Sequence, residues 1–295
     1  MTGRTRASIL VPMARFQHTV TLAPVPRQWF ESCVTTLHDV AEDLDSDGGC
    51  LRLPDGRPLP GLVLSEGSHL RPGARYRPVN GKDGQPDADR AATVLAWDRR
   101  RETALEVVTV DEDPAHPARL TCVLRLLSAA RPREAWLTAT LGTTGGKRAE
   151  YLGGTVRLHL DLGRWWPSAA GRNRRPLAAP LGGTLTHALA RATVTVVPRP
   201  APDGRWRVTV KARVRGRSLV RPLLPVVMAF MGRRAHRSIA EALDGAAREW
   251  NARLPALVHK EGEELRAELT GGLLPPRDVH PPRALPGDTP LGCPE

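Results

Sequence analysis

The chain has 295 residues and a net charge of +12, which allows one large domain or two small ones with a sizeable core. Four cysteines in a chain of this length argue against a disulfide scaffold. No apolar stretch approaches the roughly 20 residues of a spanning helix, and the apolar run after Arg6 is short and broken by Pro12. We therefore expect a cytoplasmic protein, with a membrane-peripheral location as the alternative.

The positive charge is concentrated in one region of the chain. Residues 162–240 contain 16 Arg and Lys side chains and a single acid, Asp203, whereas the remainder of the chain is slightly acidic. Self-repulsion in such a region must be offset by the protein's own acids or by an anionic partner. The sequence leaves open whether this region is only a solvated surface or a binding surface.

The first part of the chain predicts a strand followed by a helix. Residues 16–22 alternate with period two, and Pro26 suits the first turn of a helix because its missing N–H needs no partner there. Apolar residues at helical spacing then predict a helix over 26–44. Residues 1–14 are predicted to be flexible. Residues 45–90 are predicted to be an insertion with short edge strands, mostly loop after residue 65.

Strands dominate the middle of the chain. Period-two segments separated by turns predict an antiparallel meander. These segments cover residues 92–97, 104–110, 120–127, 135–141 and 155–160. The arginine-rich stretch 163–185 is predicted to be a second insertion in loop conformation, and residues 184–190 a short helix.

A hairpin and a long helix organise residues 190–254. Residues 191–197 and 206–214 alternate around an Asp-Gly turn, which predicts an antiparallel hairpin with one buried face. An amphipathic pattern of about 30 residues follows and is ended or kinked by Pro255. A further helical segment is predicted over 257–269, and the proline-rich tail 271–295 is predicted to be disordered.

Two segments resemble the SRPBCC superfamily, which comprises START-like and polyketide-cyclase-like proteins. The first is His18-Thr-Val-Thr-Leu-Ala-Pro-Val-Pro-Arg-Gln-Trp-Phe30, and the second runs from Val208 through Arg233-Arg-Ala-His236 to Trp250. The resemblance implies an α+β, helix-grip-like fold, in which a curved antiparallel sheet grips a long C-terminal helix. Such domains need about half of this chain, so we expect one domain over 15–270 with large insertions at 45–90 and 163–185.

The resemblance implies a cavity between the sheet and the C-terminal helix that binds a hydrophobic, lipid-like or polycyclic molecule. It leaves open cyclase, aromatase or lipid-transfer activity and brings no catalytic set. The residues predicted to line the cavity are Trp29, Phe30, Trp136, Met228, Met231, Ile239 and Trp250. The alternative is a non-enzymatic module that binds nucleic acid, an anionic membrane or an acidic protein assembly. Its predicted anion-binding residues are Arg207, Lys211, Arg213, Arg215, Arg233 and Arg234.

No metal or cofactor is predicted from the sequence. Histidines do not occur in pairs at i, i+4, and the cysteines have no metal-ligand spacing. Residues 43–48 fit only the first half of a calcium loop, because Pro54 stands where the bidentate glutamate belongs. Residues 142–147 resemble a phosphate loop but lack its Ser/Thr, so a hairpin turn is the favoured interpretation.

Overall fold

Thirteen antiparallel strands form one sheet, and four helices are associated with it in the part of the chain that is described. The computed structural model describes residues 13–79, 85–111, 117–143, 153–172, 178–216 and 224–271, with the backbone alone described for Met13, 224–233 and Ala235. The strands are β1 (Met13–Leu22), β2 (Asp45–Asp47), β3 (Cys50–Arg52), β4 (Pro58–Glu66), β5 (Arg75–Pro78), β6 (Arg90–Trp97), β7 (Glu102–Asp111), β8 (Ala118–Leu127), β9 (Glu134–Thr143), β10 (Gly154–Asp161), β11 (Leu181–His187), β12 (Ala190–Pro200) and β13 (Trp206–Gly216). The helices are α1 (Arg27–Glu42), α2 (Leu162–Ala169), α3 (Leu224–Leu257) and α4 (Gly262–Gly271).

The sheet is a continuous meander to which the first strand is added beside the last. Strands β2 to β13 lie side by side in chain order, and β1 pairs with β13, so that β1 and β2 form the two edges. The connection between these edges contains α1. The predicted α+β class, with a curved antiparallel sheet and a long C-terminal helix, is confirmed. The predicted hairpin of residues 191–214 is also confirmed, as β12 and β13.

Two local predictions were wrong. The first eight residues after β10 form α2 rather than a loop, because the Asp161 side chain caps the helix by accepting a hydrogen bond from the Arg164 backbone N–H. Residues 184–190 do not form a helix. Their first part belongs to β11, which pairs with β10 on one side and β12 on the other. The two flanking ladders satisfy the backbone of this segment and override its local pattern.

The glycine- and proline-rich stretch 45–90 contributes strands β2 to β5, and of these β5 alone lies beyond residue 66, in keeping with the short strands and the later loop that the sequence predicts. Its apolar residues form a core of their own with β6, in which Leu51, Leu59, Tyr76 and Val94 are buried. A separate core joins β1, β12 and β13 to α2 and α3 through Val20, Trp206, Val208, Ala247 and Leu254, among others.

The predicted flexible segment 1–14 and disordered tail 271–295 lie outside the described residues, apart from their inner ends. At one of these ends, Met13 and Ala14 pair with β13 as the first residues of β1. At the other, α4 ends at Gly271. In the stretches of the chain with a described structure, no helix has the length and apolarity needed to cross a membrane.

Candidate functional site

The inner face of the sheet is the face on which α1 and α3 pack. One transverse row of directly opposed residues, which we call the anchor row, crosses this face from β7 to β1. Its members are Thr103, Leu126, Ala135, Leu160, Leu181, Val196, Val210 and His18. Because opposed residues in an antiparallel sheet project from the same face, the whole row faces the helices.

The two helices hold opposite ends of the anchor row. At one end, Nε2 of His38 on α1 lies 2.8 Å from Oγ1 of Thr103, and both side chains are buried. At the other end, Asp244 Oδ1 on α3 lies 2.8 Å from Nε2 of His18. Helix α1 therefore meets the sheet at β7 and α3 meets it at β1, while α2 packs against β12, β10 and β9.

An ion-pair cluster adds a second attachment for α1. Glu42 accepts hydrogen bonds from Trp97 Nε1 at 3.0 Å and from Arg99 Nε at 2.7 Å, and Arg99 also pairs with Asp39 at 2.6 Å. The hydrogen bond from Arg99 lowers the pKa of Glu42 below its usual value. These partially exposed pairs orient the helix and are weak individually.

Helix α3 is fastened to the backbone at the end of β1. The Asn251 side chain accepts a hydrogen bond from the Ala23 N–H at 2.6 Å and donates one to the Thr21 carbonyl at 2.8 Å. Trp250 Nε1 donates to the Ala23 carbonyl at 3.0 Å. Since β1 has no strand on its other side, these side chains satisfy backbone groups at an otherwise unpaired edge.

An apolar patch remains exposed on the inner face. Large apolar side chains of β7 to β11 are 39% to 49% exposed there. The patch consists of Val107, Leu120, Leu124, Leu141 and Leu185. The strand register places all five on the side of the anchor row. Exposed apolar patches of this kind are candidate binding surfaces.

A separate pocket of about 510 Å³ lies where α2 meets the start of α1 and the turn of the β12–β13 hairpin. Its walls are largely apolar and include Trp166, Trp206 and Pro200, with Arg27 and Arg172 at its border. Trp166 Nε1 donates to the Val25 carbonyl at 2.8 Å, which fixes the indole in the pocket wall.

The residues predicted to line a cavity lie in different parts of the structure. Trp29 and Phe30 pack against the core beneath α3, and Phe30 lies 5.5 Å from Trp166 between ring centroids. Ile239 is 47% exposed on α3, and Trp250 is engaged at the β1 edge. The side chains of Met228 and Met231 lie outside the described residues.

Trp136 lies on the other face of the sheet. It is opposed to His159 of β10, and the two rings stack with centroids 3.8 Å apart. The structure therefore does not bring Trp136 together with the other predicted lining residues. The apolar patch, in contrast, was not singled out from the sequence, although the alternation in β8 and β9 placed its leucines on one face.

The predicted anion-binding residues of β13 share the outer face. Arg207, Lys211, Arg213 and Arg215 alternate with the inward-facing residues of that strand and are exposed. Arg234 is exposed on α3 and does not belong to this strand row, and the side chain of Arg233 lies outside the described residues. In the described ranges, no three His, Cys, Asp or Glu side chains are close enough to hold a metal ion.

Comparisons with known proteins give limited information. No protein-family model matches the chain, and no curated protein matches it. Among solved structures, the crystal structure of Ara h 8.0201 is similar over 81% of this chain and 99% of that chain, with 12% identity and a TM-score of 0.20. A likeness of this size assigns neither a ligand nor a family, so the functional argument rests on the site itself.

Proposed function

We propose that the protein binds a hydrophobic small molecule, lipid-like or polycyclic, at the apolar patch on the inner face of the sheet. The observation that carries this proposal is the apolar patch, whose five large side chains stay half exposed although they face the helices. Completing the burial of one such side chain stabilises a complex by about 1 kcal/mol, from roughly half of the value for a fully buried leucine.

The size of the apolar patch indicates the class of ligand. It spans β7 to β11, which are four inter-strand spacings or about 19 Å. A fused-ring molecule or an acyl chain has the dimensions to contact most of this surface, whereas a small polar metabolite would leave most of it exposed to water. The patch has few groups that confer polar specificity, so shape and apolar area dominate recognition.

We propose carriage as the basic activity, with cyclisation or aromatisation as the catalytic alternative. Transfer of a lipid-like molecule needs no reactive group. Cyclisation needs an acid–base group, and the candidate is His18, which Asp244 orients from α3 at 2.8 Å. A His18→Asn variant that keeps ligand uptake and product formation would exclude His18 as the acid–base group, whereas uptake without product by the native chain would exclude the catalytic alternative and leave carriage intact.

Uptake of a fluorescent polyene fatty acid by the full chain tests the proposal. We expect saturable binding and at least a tenfold loss of affinity for Leu124→Asp, which places a charge in the apolar patch. Leu189→Asp is the matched control, because Leu189 has a comparable exposure of 37% but lies in the turn before β12. Equal losses in both variants, or no uptake by the native chain and no bound apolar molecule in native mass spectrometry, would contradict the proposal.

A further inference from the structure

The outer face of β1 and of β9 to β13 is strongly cationic. Its described cations are Arg15, Arg157, Arg191, Arg199, Arg207, Lys211, Arg213 and Arg215. Only two carboxylates, Glu134 and Asp161, occupy outward positions in the described parts of these strands, and they oppose each other at one end of β9 and β10. Both have cationic or imidazole partners of their own, since Glu134 contacts His159 and Asp161 pairs with Arg164.

Like charges stand directly opposite each other on this face. Arg191 is opposed to Arg215 and Arg199 to Arg207 in the β12–β13 register. Directly opposed like charges destabilise a sheet. Within the described ranges, no ion pair joins these four arginines to a carboxylate. The arrangement therefore costs stability in the isolated chain, and an anion placed between the strands would remove that cost.

A cleft of about 210 Å³ is present at that position. It is lined by Arg191 and Thr193 of β12 and by Arg213 and Arg215 of β13, and we call it the arginine cleft. Three guanidinium groups and one hydroxyl supply hydrogen-bond donors and positive charge in a space suited to a phosphate group. Lys211 and Arg207 project from the same face of β13 and extend this line of cations toward the start of the strand.

Beside the arginine cleft, the outward residues of β11 are shorter than Arg157 and His159 of β10 and the cations of β13, and we call this strip of short residues the trough. Its floor is made of short side chains, Gly182, Thr184 and Thr186, and no atom lies within 4 Å of the position of a Cβ at Gly182. On the far side of the trough stands the stacked pair of Trp136 and His159, with Trp136 41% exposed.

The strand register aligns these parts. Trp136, His159, Gly182, Thr195 and Lys211 are successive opposed residues across β9 to β13. The aromatic pair and the cationic line therefore lie on opposite sides of one trough, about 19 Å apart across four inter-strand spacings.

We propose that this outer face binds single-stranded nucleic acid. The nucleic acid strand crosses the trough, so that phosphates lie in the arginine cleft on one side and bases lie over the threonine floor. A base several nucleotides further along the strand stacks on Trp136 on the other side. Single-strand binding surfaces combine these two elements, a cationic track for the backbone and an aromatic side chain on which bases stack. Threonine hydroxyls on the floor add donors and acceptors for base edges and sugar hydroxyls.

The observations favour a nucleic acid strand over an anionic membrane. Peripheral membrane binding of high affinity combines basic residues with apolar side chains that enter the acyl region. The outward positions of β11 to β13 hold threonine, glycine, cations and one half-buried valine, Val197. A strand of nucleic acid can enter the trough, whereas a planar headgroup surface contacts only its walls.

Fluorescence anisotropy with labelled oligothymidylate and oligouridylate tests the inference on the full chain. We expect binding whose affinity falls with salt, and at least a tenfold loss for the combined variant Arg191→Gln, Arg213→Gln and Arg215→Gln. The slope of log affinity against log salt should become shallower by about 2, from three lost phosphate contacts at about 0.7 each. The matched control changes three exposed arginines of α3, Arg237, Arg248 and Arg253, to glutamine and lowers net charge equally.

Trp136 supplies a second, independent readout. Trp136→Leu should weaken single-strand binding at least fivefold with little change in salt slope, and Trp136→Phe should retain most of the affinity. Equal losses in the cleft and control variants, or tighter binding to duplex than to single strands, would overturn the inference. So would binding to phosphatidylserine vesicles, lost in the cleft variant, without oligonucleotide binding. Fatty-acid uptake should be unchanged in the cleft variant, so this test and that of ligand binding fail separately.

Discussion

Replacing Thr103 with valine should loosen α1 from the sheet. His38 and Thr103 are only 6% and 8% exposed. His38 Nδ1 lies 2.8 Å from the Val34 carbonyl, which can only accept, so Nδ1 carries a proton. In the neutral ring, Nε2 then accepts a hydrogen bond from the Thr103 hydroxyl. Valine keeps the shape of threonine but removes this donor and leaves a buried acceptor unpaired, which costs about 1–3 kcal/mol.

Urea unfolding followed by circular dichroism measures this cost. We expect a lower midpoint at unchanged slope for Thr103→Val, because only the folded state loses an interaction. Thr103→Ser is the control, since serine keeps the hydroxyl and loses one methyl group, at a cost of about 0.8 kcal/mol or less. A Thr103→Val stability within about 0.5 kcal/mol of the native value, or a Thr103→Ser variant less stable than Thr103→Val, would refute the hydrogen-bond assignment.

Three further outcomes follow from the packing. Gly183→Ala should lower the free energy of unfolding by about 1–2 kcal/mol, because its Cβ would overlap the Leu158 side chain. The neighbouring Gly182 has open space where a Cβ would be, so Gly182→Ala should leave the free energy of unfolding equal or higher by up to about 1 kcal/mol. Similar losses in both variants would contradict the faces assigned to the two glycines. Asn251→Ala removes two hydrogen bonds to the end of β1 and should cost about 1–3 kcal/mol in the same assay, and an unchanged midpoint would show that α3 is held elsewhere. Burial raises the pKa of Cys33 to about 11, so mass spectrometry should find its alkylation by iodoacetamide slow at pH 8 and faster as pH rises toward that value, whereas fast labelling of the folded chain at pH 8 would place this thiol in solvent.

Strong local patterns in the sequence determined the elements that do not depend on distant partners. Period-two alternation predicted β6 to β10 and the β12–β13 hairpin. The helical spacing of Trp29, Phe30 and their successors predicted α1 within two residues at each end. The same alternation put the cations of β13 on one face, because neighbouring residues of a strand project to opposite sides. The charge excess of residues 162–240 is likewise a property of the amino-acid sequence alone.

The tertiary structure decided which faces meet and which stay open. Strand β11 has too weak a local pattern to be predicted and forms because β10 and β12 both pair with it. Trp136 is a large apolar residue of the kind that lines cavities, yet in the strand register it lies on the outer face beside His159. The apolar patch and the arginine cleft likewise depend on where the helices pack and on which strands are neighbours in the sheet. These are contacts between residues far apart in the chain, and local periodicity carries no information about them.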